Sequence, residues 1–394
     1  MDRKKEITVN IINRNYPPYS GITGESAAEL VDFLSSKNIK INVIHVDADY
    51  SGMLESGFTR DTTYRINTFY NGKNKMLRLL SSLYEGFRLV MKSNSISSDV
   101  TICMTDPPLL NMWAAMLIPS RKKWMLWTMD LYPEGFVSGK LTGKGRLLYK
   151  IIDRLVKRRA PDHLIALGPH QATYLQKKYR ADFTQSILPC GIYAVPEPNG
   201  QHLPQWAADR SKIYIGYCGN LGEAHSLEFL KYALDAFDPT RQVFILATYG
   251  AKAKDIQGYA NTINKPGLIV LPSVSRKDLR YIDVHLASLN EEWVNVSVPS
   301  KTVSSVCAGS AFIYFGSKSS DNWELLGEAG WIIETKRGPE VIREIIKDLD
   351  HEKIKTKRLA AAALAKRLYA LKDVAFLDIH RRILELSTSV AQSS

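Results

Sequence analysis

The sequence predicts an α/β protein built as two doubly wound, parallel-sheet halves. Short apolar runs alternate with helical text in both halves. A stretch rich in Pro, Gly and polar residues separates them, and 394 residues exceed one ordinary core but suit two domains. The chain opens with "EITVNIINRNYPPYSGITGESAAELVDFLSSKNIKINVIHV", which reads strand, Pro/Gly loop, helix, strand. "SDVTICMTDPPLL" and "KWMLWTMDLYPE" add short apolar strands that end in polar loops. A second series begins at "SKIYIGYCGNLGEAHSLEFLKYALDAF" and continues through "RQVFILATYG", "GLIVLPS" and "VHLASL". These readings set an N-terminal domain at 1–195, a linker at 196–210, a second domain at 211–370 and a C-terminal helix at 371–394 that returns to the first domain.

Composition narrows the class. A hydrophobic share of 45% with 23% charged residues describes a globular chain without the run of about 20 apolar residues that a bilayer span needs. The start "MDRKKEITVNIINRN" lacks the apolar core of a signal peptide, so a cytoplasmic protein is expected. Cys103, Cys190, Cys218 and Cys307 show no Cys-x-x-Cys pairing and read as reduced thiols. The net charge of +12 is concentrated: residues 51–180 hold 21 Lys and Arg against 9 Asp and Glu. Such a region attracts the phosphates of nucleic acid, anionic lipid or a charged substrate. Within it, residues 73–92 place Met76, Leu79, Leu80, Leu83, Phe87 and Val90 at helical spacing among Lys73, Lys75, Arg78, Arg88 and Lys92. That pattern fits a helix lying on a membrane or one packed on its own sheet.

Two glycine turns follow strands, "YSGITGES" with Gly21 and Gly24, and "YCGNLGEAH" with Gly219, Asn220 and Gly222. Neither completes the G-x-G-x-x-G that a dinucleotide enzyme needs, but each can bring backbone N–H groups to a phosphate. In "VNVSVPSKTVSSVCAG", residues 294–309, apolar alternation reads as a strand end, and Pro299 can open a helix. Ser300, Lys301 and Thr302 then fall in its first turn. A lysine there opposes the helix dipole unless an anion is bound. Asp130 in "WTMDLYPE" and Asp106 in "MTDPP" stand at strand C-terminal ends, where α/β proteins hold ligands, though either can also serve a cap or turn. "DAD" at 47–49 is the nearest Asp-x-Asp text and follows a strand in the other half. No metal cluster is expected.

The ordered set "YPPYSGITGESAAELVDFL", "VTICMTDPPLL", "WTMDLYPE", "APDHLIALGPHQATYL", "ILPCGI", "YCGNLGEAHSLEFL", "VPSKTVSSVCAG" and "EAGWIIE" resembles bacterial glycosyltransferases of family four, in the branch that builds O-antigen and colanic-acid-like exopolysaccharides. The resemblance implies the GT-B fold, two Rossmann-like domains facing across a donor-binding cleft. It implies metal-independent transfer, with retention, from a nucleotide diphosphate donor, a UDP-sugar by expectation, to a lipid-linked saccharide at the anionic inner membrane surface. No cofactor and no nucleic-acid partner are implied. By the same resemblance Ser300, Lys301 and Thr302 bind the donor diphosphate, Ser304 stands among the donor-binding positions, Gly219, Asn220 and Gly222 face the diphosphate, Gly21 and Gly24 shape the opposite loop so that its backbone approaches the donor phosphate or acceptor, and Asp130 positions the sugar or the attacking hydroxyl.

Two departures stand out. Many such enzymes carry arginine and lysine after the strand, where this chain has Asn220, Glu223, Ala224 and His225, and His225 reads either as a replacement cation or as a helix-start residue. Related retaining enzymes also carry paired glutamates, where this chain has Val296 and Ser304. A non-hydrolysing nucleotide-sugar epimerase and a non-catalytic scaffold of a polysaccharide assembly complex stay open as alternatives.

Overall fold

The structure is a computed structural model, and it describes residues 6–18, 21–47, 62–70, 72, 74–193 and 203–391. The chain divides into two compact units, Met1–Leu188 with Leu371–Ser394, and Pro189–Ala370.

Among the described residues, the first unit holds seven strands, β1 Thr8–Ile12, β2 Lys40–Val46, β3 Thr62–Ile66, β4 Val100–Cys103, β5 Lys123–Trp127, β6 His163–Ala166 and β7 Thr184–Ile187. All pairings are parallel, in the order β3-β2-β1-β4-β5-β6-β7. Helices cover both faces of such a sheet, which is why β4 and β6 are buried at every residue and read as continuous rather than alternating apolar text. The chain runs from β1 outward to β3 and then returns to place β4 on the other side of β1. The loops after β1 and β4 therefore diverge at a topological switch point.

The second unit repeats the plan with β8 Ile213–Asn220, β9 Gln242–Tyr249, β10 Leu268–Val270, β11 Val284–Ser288, β12 Ala311–Gly316 and β13 Gly330–Glu334. Its order is β10-β9-β8-β11-β12-β13, again parallel, with the switch point between β8 and β11. The core includes Phe229 stacked on Phe315 at 5.5 Å, together with Tyr217, Leu246 and Leu286.

Three local expectations need correction. The stretch 196–210 lies outside the described residues as far as 202, and its later part is no spacer: Ala207 is fully buried in a cluster with Tyr214, Ile245 and Ile282. The C-terminal segment is not a separate helix but the continuation of one helix, His351–Ala391. Its end is fixed in the first unit by Phe376 against Phe33 at 5.3 Å and by a bond from the Ser186 hydroxyl to Asp378. Third, "VNVSV" is not a strand end. Val296 and Ser297 bond back to the Trp293 carbonyl in a turn, and the alternation arises because Val296 and Val298 are buried while Asn295 is exposed.

Helix Lys75–Ser95 also departs from the single apolar face expected. Val90 is fully buried and Phe87 meets Trp113 edge-on at 5.4 Å, so this half packs inward, whereas Met76 and Leu80 stay exposed. Lys73 lies outside the described residues. Among the described residues, no helix is long and apolar enough to cross a membrane. Cys103, Cys190 and Cys307 are buried and Cys218 is half-buried, and none of the four is in a disulfide.

Candidate functional site

In the second unit, helix Ser300–Cys307 starts beside the switch point and sends Lys301 back toward the end of β8. The Lys301 ammonium donates to the Asn220 carbonyl at 2.8 Å, meets His225 Nε2 at 3.3 Å and lies 5.1 Å from the Tyr217 ring centre. The Tyr217 hydroxyl donates to the same Asn220 carbonyl at 2.9 Å. A Cβ on Gly219 would stand 3.3 Å from Lys301 Cε, so Gly219 lets the lysine lie close along the strand end.

His225 has a defined role in this arrangement. Its Nδ1 is bonded to the Ser288 carbonyl at the end of β11. A carbonyl only accepts, so Nδ1 carries the proton and Nε2 presents its lone pair to Lys301. Burial, then the nearby Lys301 charge, hold His225 well below the ordinary histidine range. It is therefore a neutral acceptor and not a replacement cation. Burial likewise pushes Lys301 down to about 8.

The loop between β8 and the next helix is held by a second lysine that sequence reasoning did not identify. Lys252 Nζ donates to the His225 carbonyl at 2.7 Å and the Glu223 carbonyl at 3.1 Å, and its backbone N–H donates to the Leu221 carbonyl. Its signal was faint: a lysine two residues beyond Gly250, which itself sits at φ +103° with room for no side chain. A Cβ there would fall 2.0 Å from Asn220 Oδ1. Gly222 closes the turn by accepting from the His225 N–H at 3.1 Å.

The expected hydroxyl donors differ in placement. Ser300 is half-buried at the helix start. Thr302 is fully buried, its hydroxyl donating to the Pro299 carbonyl at 3.0 Å and bonded to the Asn322 amide. The Ser304 hydroxyl accepts from the Ile192 N–H at 2.8 Å and donates to the Ser300 carbonyl. Both hydroxyls are occupied in holding the helix start, so Thr302 and Ser304 support the site from behind.

The first unit has a different switch point. Asn15 Nδ2 donates to Asp106 Oδ2 at 2.9 Å, and Asn13 Nδ2 donates to the Asn15 carbonyl at 2.8 Å. The Oδ1 atoms of Asn13 and Asn15 are buried with no bonded partner among the described residues. Gly24 lets helix Ile22–Ser36 approach this loop, since a Cβ would lie 2.8 Å from the Asn15 carbonyl carbon and oxygen. Gly21 precedes that helix and accepts from the Glu25 N–H at 3.1 Å. Arg14 lies 3.5 Å from the buried Glu85 carboxylate.

Asp130 follows β5 and is exposed. The residue before it is clamped: the Met129 N–H donates to Thr105 Oγ1 at 2.8 Å, and Gln171 Nε2 donates to the Met129 carbonyl at 3.0 Å. In the "DAD" text, Asp47 accepts from the Thr68 N–H, and Asp49 lies outside the described residues. Among the described residues, no three His, Cys, Asp or Glu side chains gather as a metal site.

No family model matches the chain. A curated relative, the probable glycosyltransferase WbjE of Pseudomonas aeruginosa, is 24% identical over 277 residues, covering 66% of this chain and 68% of that protein. Among solved structures, sucrose-phosphate synthase from Thermosynechococcus elongatus superposes with a TM-score of 0.72 at 12% identity, covering 98% of this chain and all of the other. WaaG, a glycosyltransferase involved in lipopolysaccharide biosynthesis, gives 0.66 at 13% identity over 93% of this chain and 98% of its own. Anabaena HepE in complex with UDP-glucose gives 0.62 at 13% identity over 98% and 100%. The fold is GT-B. The expected architecture of two Rossmann-like domains is the observed one.

Proposed function

We propose that the protein is a glycosyltransferase that moves a sugar from a nucleotide diphosphate donor, a UDP-sugar, to a lipid-linked saccharide in bacterial surface or exopolysaccharide synthesis. The observation that carries this reading is Lys301, held at the second unit's switch point by the Asn220 carbonyl and a neutral histidine. A neutral partner leaves the full lysine charge for an anion, where a carboxylate would have cancelled it. The named relative supports the glycosyltransferase class, and the UDP-glucose complex of a similarly folded protein supports the donor.

In this reading the bond between the anomeric carbon and the diphosphate oxygen breaks, and UDP leaves with the electron pair. The acceptor hydroxyl bonds to the same face of that carbon, and its proton passes to the departing phosphate. Lys301 and the helix start stabilise the leaving diphosphate, and no metal or other cofactor takes part. Asp130 orients the sugar or the attacking hydroxyl. The enzyme works at the cytoplasmic side of the inner membrane as a peripheral protein.

The test is a panel of labelled UDP-sugars incubated with and without an extracted lipid-linked acceptor. Label moving into lipid only when acceptor is present supports transfer. An epimerised UDP-sugar formed without acceptor would replace the reading with the epimerase one, and absence of both turnover and UDP binding would leave a scaffold.

A further inference from the structure

Helix Leu147–Val156 of the first unit has one wide apolar face that is only partly covered, where the apolar face of a helix on a globular protein is ordinarily buried. Its covered part, with Ile152, Leu155 and Val156, joins Leu109 and Met112 in a closed cluster. On the uncovered part Leu147 is 73% exposed, Leu148 63% and Ile151 47%, and Leu141 in the preceding turn is 69% exposed. Single exposed leucines are common on proteins, but four large aliphatic side chains within eleven residues form a patch.

The charges around the patch have one sign. Lys140, Lys144, Arg146, Lys150, Arg154 and Arg158 are all exposed, and among the described residues none of the six is in an ion pair. The only acid between residues 139 and 159 is Asp153, which is half-buried and already neutralised by Lys157 and, at 3.5 Å, by Lys178. The one further basic pair here is Arg159 with Asp162, and Arg159 also donates to the Ile118 and Pro119 carbonyls. The uncovered aliphatic residues thus lie in a stretch of chain where, among the described residues, no acid neutralises these six exposed cations.

We propose that this face is the surface by which the protein docks on an anionic lipid bilayer, Leu141, Leu147, Leu148 and Ile151 entering the boundary between headgroups and acyl chains. The inference rests on the reading that the acceptor is lipid-linked and gives that reading a place on the molecule. A second copy of this chain would bring two sets of unpaired cations together. A nucleic acid would pair with the cations but has no use for aliphatic side chains, since base stacking calls for aromatic ones. An anionic bilayer satisfies both components, because basic residues meet its headgroups and leucines its hydrocarbon edge.

The test is flotation of the full chain with vesicles of phosphatidylethanolamine and phosphatidylglycerol, and with pure phosphatidylcholine. The protein is expected to float with the anionic vesicles at low salt, to be released by high salt and to ignore the neutral ones. The variant L147S/L148S/I151S, which keeps every charge, should lower the partition coefficient at least roughly tenfold, and K144E/R146E/K150E should do the same and remove the salt dependence. Leu359→Ser, equally exposed on the C-terminal helix, should leave binding unchanged. No flotation by the unaltered protein, or full flotation by the leucine variant, overturns the proposal, as does a short DNA duplex retained where vesicles are not. UDP affinity is measured in parallel. Vesicle binding without UDP binding would defeat the transferase reading and leave the docking surface standing, and UDP binding without vesicle binding would do the reverse.

Discussion

The two sheets share one topology and place their switch points alike, yet the groups gathered there are opposite in character. In the second unit, lysine dominates: Lys301 over the end of β8 and Lys252 bracing the loop, with His225 kept neutral between them. In the first unit, oxygen dominates: the Asp106 carboxylate and two buried amide oxygens of Asn13 and Asn15. The cation nearest by sequence, Arg14, is engaged with Glu85. A parallel sheet fixes where a ligand is met and leaves its charge to a few loop residues. The second unit suits a diphosphate, and the first suits hydroxyl groups, which donate to carboxylate and amide oxygens.

The largest effect that tests this contrast is expected from Lys301→Ala. Losing one charge-assisted contact should cost about 1.5–3 kcal/mol of UDP affinity, read by calorimetry. An equal loss from Asp106→Asn would break the comparison, because it would place the nucleotide in the first unit as well.

Next comes a stability effect confined to the first unit. Gly24→Ala forces a Cβ to 2.8 Å from the Asn15 backbone, a contact that cannot relax by moving a side chain. Destabilisation of about 1–3 kcal/mol is expected in thermal or denaturant unfolding, as for other overpacked sites, with UDP affinity retained. Lost UDP affinity in a folded Gly24→Ala protein would show that the two switch points do not act separately.

How much of this was legible in the sequence follows from the range of the interactions. The parallel sheets were readable because apolar runs and glycine turns are local, and Lys301 was readable because a lysine in a helix's first turn is locally unfavourable. The neutrality of His225 was not, since it depends on a carbonyl 63 residues away. Nor could the text show that Thr302 and Ser304 face inward, because Asn322 and Ile192 occupy their hydroxyls. The same limit applied to helix Lys75–Ser95, whose periodicity marks an apolar face without saying which part is covered by Trp113. The chemistry at Asn13 and Asn15 was silent, since asparagine in a Pro-rich loop is ordinary turn composition.

A smaller effect should appear with pH. Lys301 is pushed down to about 8 by burial, so it is charged at pH 7 and loses its proton as pH rises through that value. UDP affinity should therefore fall by up to about tenfold from pH 7 toward pH 9, above the range in which the terminal phosphate of UDP itself titrates. Binding above pH 8 should be accompanied by proton uptake, visible as a dependence of calorimetric heat on buffer ionisation. The slope should vanish in Lys301→Ala. A fall that persists in that variant would assign the titration to another group.

The smallest expected effect is none at all. If the diphosphate is neutralised by Lys301 and by the N–H groups at the start of helix Ser300–Cys307, a divalent ion has no charge left to balance, and transfer should be unchanged within a factor of about two in excess EDTA. The experiment discriminates because the two switch points predict different places for a metal. Oxygen ligands suit magnesium or manganese, and they lie in the first unit at Asp106, Asn13 and Asn15. Activity that EDTA removes and manganese restores would contradict the assignment of charge neutralisation to Lys301. Asp106→Asn would then decide where the ion sits: a raised manganese requirement in that variant would make the oxygen-rich switch point a metal site, and an unaltered one would place the ion elsewhere in the chain.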